Sequence, residues 1–320
     1  MNYANKKILL TGGAGFIGHH IAQKLLDLGA QVIILDNLSS GERKKVDSLL
    51  GTYAHCTFIE GDICNLDTCL SLTKQIDFII HQAAIASVSI GETNPDLLNR
   101  VNVLGTYNLF YAACINQVQK VIYASSAAVY GDSPTPIKEE TQVPTPISLY
   151  GLSKYINEQQ AHLLAQQFAT HFIGLRYFNV YGPGQNPKSD YSGVISIFID
   201  KALAKEPITI FGDGNATRDF IYVEDTVAAN LRALEAAIEK RAIVYNIASG
   251  TSNTINYLAA QIQTLYAAVP VLYAPKRIGD IVHSQADIHF ADHELEFTAT
   301  FSLADGLAKM KVLTYPQPQP

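Results

Sequence analysis

The run KKILLTG passes without a break into Gly12-Gly13-Ala14-Gly15-Phe16-Ile17-Gly18, and an amphipathic stretch, HHIAQKLLDLGA, follows at once. A short apolar strand that ends in a glycine turn and opens a helix limits the fold more than any other feature of this chain. The spacing Gly13-x-Gly15-x-x-Gly18 brings backbone amides at a helix N-terminus close enough to bind a pyrophosphate, which a Cβ in the turn would hold away. The next apolar run, QVIILDN, ends at Asp36, near the spacing of about 20 residues at which an acid meets a ribose. A carboxylate there accepts hydrogen bonds from the adenosine ribose hydroxyls and repels a 2′-phosphate. No Arg or Lys follows until Arg43, so the expected cofactor is NAD rather than NADP.

Five runs of strand length, KKILLTG, QVIILDN, FIEGDI, FIIHQAA and KVIYASS, occupy the first half, with amphipathic segments between several of them, including one near Val101 to Ala113. That alternation predicts an α/β fold, a doubly wound parallel sheet of Rossmann type covered on both faces. FIGLRYFNVYG and AIVYNIAS are expected to be two later strands of the same sheet. Beyond Gly182 the pattern changes to a loop-rich PGQNPKSDYSG, a helix-like VISIFIDKALAK, a short strand PITIFG and a polar turn DGNATRDF. The expected organisation is an NAD-binding domain over residues 1–182, to which a strand near 243–249 returns. A smaller mixed α/β lobe for substrate covers mainly 183–315, and PQPQP at 316–320 is a frayed tail.

With 320 residues, 48% of them hydrophobic and 16% charged, the chain can bury a sizeable core. Its formal net charge of −6 argues against a general nucleic-acid or anionic-membrane binder, both of which require a basic face. No apolar run approaches the roughly 20 residues of a membrane helix, and the start lacks the apolar core of a secretory signal. Cys56, Cys64, Cys69 and Cys114 form no CxxC pair. Buried free thiols in a reducing cytosol are expected, and with them a cytoplasmic location.

Tyr150-Gly151-Leu152-Ser153-Lys154 places a Tyr and a Lys four apart, on one face of an expected helix. Such pairs are common by chance, but this one follows a strand ending in Ser125 and Ser126, which itself follows the glycine turn. The order carries the meaning. A tyrosine with its ordinary pKa near 10 is a poor base at neutral pH. An adjacent ammonium and a cationic nicotinamide both favour phenolate, and a shift to about 7 requires roughly 4 kcal/mol of differential stabilisation. Lys154 is also expected to hold the nicotinamide ribose, and a serine hydroxyl to bridge the phenol and a substrate hydroxyl.

From GGAGFIG through DNLSSG, GDI, HQAA, SSAAVYG, YGLSK and RYFNVYGPGQ to TRDFIYVED and RIGD, the chain resembles extended short-chain dehydrogenases/reductases of the UDP-sugar 4-epimerase type. The spacing Gly12-x-x-Gly15-x-x-Gly18 is also theirs. The resemblance implies that Ser126, first in the S-x-x-V-Y-G segment, is the catalytic serine, Tyr150 the base and Lys154 its partner. It implies cofactor contacts from Gly12, Gly15, Phe16, Ile17, Asp36, Asn37, Gly41, Asp62, Ile63, Gln82, Ala83, Ala84, Asn102 and Tyr177. Related 4,6-dehydratases carry Asp-Glu directly after the catalytic threonine; Ala127 and Ala128 stand there in this chain and transfer no protons.

On the substrate side the resemblance places Arg218 and Arg277 on the pyrophosphate, where a guanidinium makes the bidentate contacts that lysine does not. Asn179, the backbone near Val194 and Ile195, and Thr209 and Phe211 would complete the nucleotide site, with Asp280 on a ribose hydroxyl. Ser284 matches a position that is tyrosine in epimerases restricted to UDP-glucose and UDP-galactose, and serine leaves room for an N-acetyl group. Ser87 resembles a substrate-contacting serine of the N-acetyl-preferring members. The expected reaction is interconversion of UDP-N-acetylglucosamine and UDP-N-acetylgalactosamine, with the plain hexoses as secondary substrates. UDP-uronic or acetamido-uronic sugars are the alternative, followed by UDP-uronate decarboxylation and a non-catalytic NAD sensor. His289 and His293, with Asp292 between them, are expected on the surface without a metal. A homodimer paired through the helices near Val101–Ala113 and Tyr150–Phe168 follows from analogy with relatives.

Overall fold

The structure, a computed structural model, describes residues 1–133, 135–187, 193–276 and 281–314. In chain order its strands are β1 (Lys7–Thr11), β2 (Gln31–Asp36), β3 (Cys56–Glu60), β4 (Phe78–His81), β5 (Lys120–Ser126), β6 (Ile137–Lys138) and β7 (His171–Tyr177). They continue as β8 (Asn179–Tyr181), β9 (Ile208–Phe211), β10 (Thr217–Tyr222), β11 (Ala242–Ile247), β12 (Ser252–Thr254), β13 (Val271–Ala274) and β14 (Gln285–Ala286). The helices begin with α1 (Phe16–Asp27), α2 (Arg43–Thr52), α3 (Leu66–Leu72), α4 (Val88–Thr93), α5 (Pro95–Leu98) and α6 (Thr106–Ile115). After these come α7 (Leu149–Gln167), α8 (Val194–Leu203), α9 (Val223–Glu235), α10 (Ile255–Leu265), α11 (His289–Leu295) and α12 (Leu303–Thr314).

Seven strands form one parallel sheet in the order β3-β2-β1-β4-β5-β7-β11. Successive side chains of a strand point to opposite faces. Ile8 and Leu10 of β1 therefore enter a core with α1 and α9, while Leu9 enters a second core with α6 and α7. Burial on both faces is why these strands read as unbroken apolar runs rather than as alternation. The strand order reverses between β1 and β4, and a doubly wound sheet binds its ligand in the crevice beyond the strand ends at that point.

Two sequence expectations are corrected. The stretch near Val101 to Ala113 is not one regular helix, because a π-helical segment, Asn99–Gly105, precedes α6 and turns Asn102 fully inward. Nor is FIGLRYFNVYG one strand. β7 ends at Tyr177, the Phe178 amide donates to the Ile247 carbonyl at 3.0 Å, and β8 leaves the main sheet to pair with β10. With β12 these make a three-stranded sheet. It adjoins a third core, in which Phe198 and Ile199 of α8, Ile208 and Ile210 of β9, Leu258 of α10 and Leu307 of α12 are buried together. α9 packs instead on α1, in the first core. No helix among the described residues is long and apolar enough to cross a membrane.

Candidate active site

A cavity of about 430 Å³ opens beyond the C-terminal ends of β1, β2, β4, β5 and β7. Every cofactor residue expected from sequence lines it except Asn102. Gly12 has φ +73°, and a Cβ there would sit 2.6 Å from the Ala83 amide nitrogen, so only glycine lets the β1 turn lie against the loop after β4. A Cβ on Gly15 would approach nothing within 4 Å but the Gly12 carbonyl, so the space in front of the turn stays open. Gly15 caps α1 without a side-chain hydrogen bond, and the first turn of α1 carries no acid. That leaves a helix N-terminus suited to a pyrophosphate.

Asp36 accepts from the Ala14 amide at 2.9 Å and the Leu38 amide at 2.8 Å, which orients the carboxylate at the adenosine end; burial raises its pKa against those two donors. Asn37 donates to Asp62 at 3.2 Å, closing the rim. Gln82 donates to the Tyr177 hydroxyl at 3.0 Å. The turn, the acid and the open space fit NAD. Asn102 acts differently from the expected direct contact. Its side chain accepts from the Ile85 amide at 2.8 Å and donates to the Ile85 carbonyl at 2.9 Å, so it fixes the loop that forms the cavity wall.

Ser126, Tyr150 and Lys154 line the same cavity. Ser148 caps α7 by accepting from the Gly151 amide at 3.1 Å. A Cβ on Gly151 would meet the Ala128 carbonyl oxygen at 2.5 Å, so glycine after Tyr150 allows the first turn of α7 to press against the segment that carries Ser126. The Ser126 Oγ accepts from the Ala128 amide at 3.1 Å and caps a 3-10 turn over Ala127–Tyr130. Lys154, 3% exposed, donates to the Ala124 carbonyl at 2.9 Å, and burial pushes its pKa down to about 8. It remains largely protonated at neutral pH. Burial raises the Tyr150 phenol above its ordinary 10, opposed by the Ser126 hydroxyl. Within the protein itself desolvation is the larger effect, and the expected shift toward phenolate calls on the cationic nicotinamide together with Lys154.

On the substrate side Asn179 joins Ser126 in the cavity wall. Arg218 is half-buried on β10, and its Nη1 donates to the Thr217 carbonyl at 2.9 Å. A parallel bridge between Thr217 and His283 brings Ser284 to this strand, where its amide donates to the Thr217 carbonyl at 3.2 Å. Ser87 is buried and accepts from the Ile90 amide at 3.2 Å, capping α4 beside the cavity rather than lining it. Thr209 and Phe211 alternate with buried Ile208 and Ile210 and face outward on β9. Val194 and Ile195 open α8 behind Gly193, which lines the cavity; the Ile195 side chain itself is core. Arg277 and Asp280 lie outside the described residues.

Sequence reasoning missed Asp219 and Lys45. Asp219 is fully buried beside Arg218 and accepts from the Ser249 amide and hydroxyl, the Gly250 amide and the Ala286 amide at 2.7–3.2 Å. Burial nevertheless pushes its carboxyl up to about 6. Lys45 lines the cavity, pairs with Glu42 at 2.9 Å and donates to the Gly184 carbonyl at 3.0 Å, while His20 bonds the Pro183 carbonyl at 2.9 Å. Together they hold Pro183 and Gly184 at the cavity rim. His289 and His293 pack ring to ring at 4.5 Å on α11. Among the described residues no group of three or more His, Cys, Asp or Glu is placed to hold a metal.

A serine, a tyrosine and a lysine meeting in a Rossmann crevice mark the short-chain dehydrogenases/reductases. The chain belongs to the NAD dependent epimerase/dehydratase family, which matches residues 8–248, and its cofactor is NAD. It is similar to the UDP-glucose 4-epimerase of Thermotoga maritima, solved with UDP-glucose (35% identity, TM-score 0.88, 95% of this chain and 97% of that one). The UDP-N-acetylglucosamine 4-epimerase of Methanobrevibacter ruminantium M1, solved with UDP-N-acetylmuramic acid, is 36% identical (TM-score 0.89, 96% of both chains). The UDP-glucuronic acid 4-epimerase of Bacillus cereus, solved with UDP-glucuronic acid and NAD, is 31% identical (TM-score 0.86, 95% and 97%).

Proposed function

We propose that this UDP-sugar 4-epimerase interconverts UDP-N-acetylglucosamine and UDP-N-acetylgalactosamine, with UDP-glucose and UDP-galactose as secondary substrates. The observation that carries the reaction type is the meeting of Ser126, Tyr150 and Lys154 in the cavity of the glycine turn, with Ala127 and Ala128 next in the chain where a dehydratase has acids. Ser284 supports the acetylated sugar, because a small residue stands there with its amide bonded to the carbonyl of Thr217, the neighbour of Arg218 in the chain.

Bound NAD supplies the acceptor and donor of the hydride and a positive charge that favours the Tyr150 phenolate. Tyr150 takes the proton of the sugar 4-hydroxyl as hydride leaves carbon 4, and returns it when hydride comes back to the opposite face. Ser126 holds its hydroxyl between the phenol and the substrate oxygen. Lys154 anchors the nicotinamide ribose. Arg218 and Arg277 keep the nucleotide in place while the 4-keto sugar turns over. Exposed Leu104, Tyr107, Leu152 and Leu163, on the π-helical segment, α6 and α7, support a homodimer paired through these helices.

The UDP-uronic sugars are the second reading, supported by the likeness to the Bacillus cereus enzyme. The test is incubation with a panel of UDP-sugars and no added cofactor, followed by product identification. Epimers of unchanged mass, formed fastest from the N-acetyl pair, are expected. Loss of water or carbon dioxide would overturn the reaction type, and a preference for uronic sugars would overturn the substrate.

A further inference from the structure

Two charged side chains lie buried behind the catalytic trio and have no part in the chemistry above. Glu158 sits one turn beyond Lys154 on α7, Arg176 next to Tyr177 on β7, and both are under a tenth exposed. Arg176 donates from Nε to Glu158 Oε1 at 2.9 Å and from Nη2 to Oε2 at 2.7 Å, a bidentate pair. Replacing such a buried pair by apolar residues is often neutral or stabilising, so stability alone does not account for it.

Its remaining contacts supply a reason. The Ser125 hydroxyl donates to Glu158 Oε1 at 2.6 Å. Arg176 Nη1 donates to the Tyr130 hydroxyl at 2.8 Å, and the guanidinium lies 4.8 Å from the Tyr130 ring centroid. Ser125 immediately precedes Ser126, and Tyr130 closes the 3-10 turn that the Ser126 hydroxyl caps. One ion pair thus grips both flanks of the segment bearing Ser126. Through Glu158 it grips the helix bearing Tyr150 and Lys154, and through Arg176 the strand that ends at Tyr177.

We propose that the Glu158–Arg176 pair, acting through Ser125, is the positioning device of the reaction and sets the separation of the Ser126 hydroxyl from the Tyr150 phenol. Glu158, Arg176 and Ser125 are positioning residues; none of them exchanges a proton with the substrate. A pair that merely fastened α7 to the sheet would not need Ser125 and Tyr130 as its other partners.

For its rate assay the proposal rests on the epimerase reading, so wild-type turnover is measured first and failure of that reading appears there. The variants Ser125→Ala and Glu158→Gln are then compared with wild type on the sugar it converts fastest. In both, kcat falls about tenfold with KM held within about twofold, because a misplacement of about 1 Å penalises the transition state more than binding. The primary isotope effect for substrate deuterated at carbon 4 rises in parallel. Loss of folded enzyme would lower the rate and leave KM and the isotope effect unchanged. Should Glu158→Gln fail to fold, Ser125→Ala decides alone, since it leaves the ion pair whole. Wild-type kcat and isotope effect in Ser125→Ala overturn the proposal. If wild type converts none of the sugars, crystal structures of wild type and Ser125→Ala decide: Ser126 Oγ displaced relative to Tyr150 Oη supports the proposal, and an unmoved Ser126 overturns it.

Discussion

Around the glycine turn the backbone itself shapes the site. Gly12 and Gly151 allow close approaches that a Cβ would prevent, and Asp36 is oriented by the amides of Ala14 and Leu38. Across the cleft, a buried carboxylate does the equivalent work. Asp219 gathers β10, the loop at Ser249 and Gly250, and β14 into one piece, and this piece carries Arg218 and supports Ser284. Backbone geometry holds the glycine turn, and polar contacts between distant residues hold the strand that carries Arg218. The glycine turn is accordingly expected to tolerate few changes of its own, and the Arg218 side to respond to changes far away in the chain.

The largest effect is expected at the seam between the halves. Tyr150→Phe should lower kcat by about 10³-fold, roughly 4 kcal/mol of barrier, with retained NAD and KM little changed; near-wild-type turnover would remove Tyr150 as the base. In the cofactor half, His81 is buried between the Thr11 and Thr106 hydroxyls at 2.6 and 2.9 Å, and burial pushes its pKa down to about 3. An unfolded chain protonates this histidine below its ordinary 6.5 while the folded chain keeps it neutral. Its contribution is therefore full above about pH 6.5 and declines as pH falls toward 3. Between pH 7 and pH 4 the share of this histidine should be about 3 kcal/mol, read as the difference between wild type and His81→Gln in urea titrations.

In the substrate half, Asp219→Asn leaves two of four donors without an acceptor. It should destabilise by about 2 kcal/mol and raise KM for the sugar nucleotide while NAD content stays constant. Loss of NAD instead would break the distinction between the halves. Ser284→Tyr should reduce kcat/KM for the acetylated pair relative to the plain hexoses by about tenfold, or 1.4 kcal/mol; an unchanged ratio would remove Ser284 as a gate. Smallest is Lys45→Ala, which releases the Gly184 carbonyl. Stability should change by less than about 0.5 kcal/mol, while NAD dissociates severalfold faster in a filter-retention assay.

The same contrast explains what was legible in the sequence. The glycine turn and Asp36 form a pattern within 25 residues, and Tyr150 with Lys154 is a helix spacing, so both can be read from neighbours in the chain. Glu158 meets Ser125 across 33 residues, Ser249 meets Asp219 across 30 and Lys45 meets Gly184 across 139, and no periodicity signals such contacts. Asn102 shows the converse. The resemblance placed it on the cofactor, but its π-helical segment turns the side chain onto Ile85, and a sequence pattern does not reveal that winding. The break at Phe178 was hidden because RYFNVYG has the apolar texture of a strand on both sides of it.

In the proposed mechanism hydrogen leaves carbon 4 of the sugar and returns to the same carbon without meeting water. Substrate deuterated at carbon 4 should be converted to an epimer that keeps its label through many turnovers in ordinary water, read by mass spectrometry of the sugar nucleotide. Progressive replacement of that deuterium by solvent hydrogen as the epimer forms would rule this mechanism out.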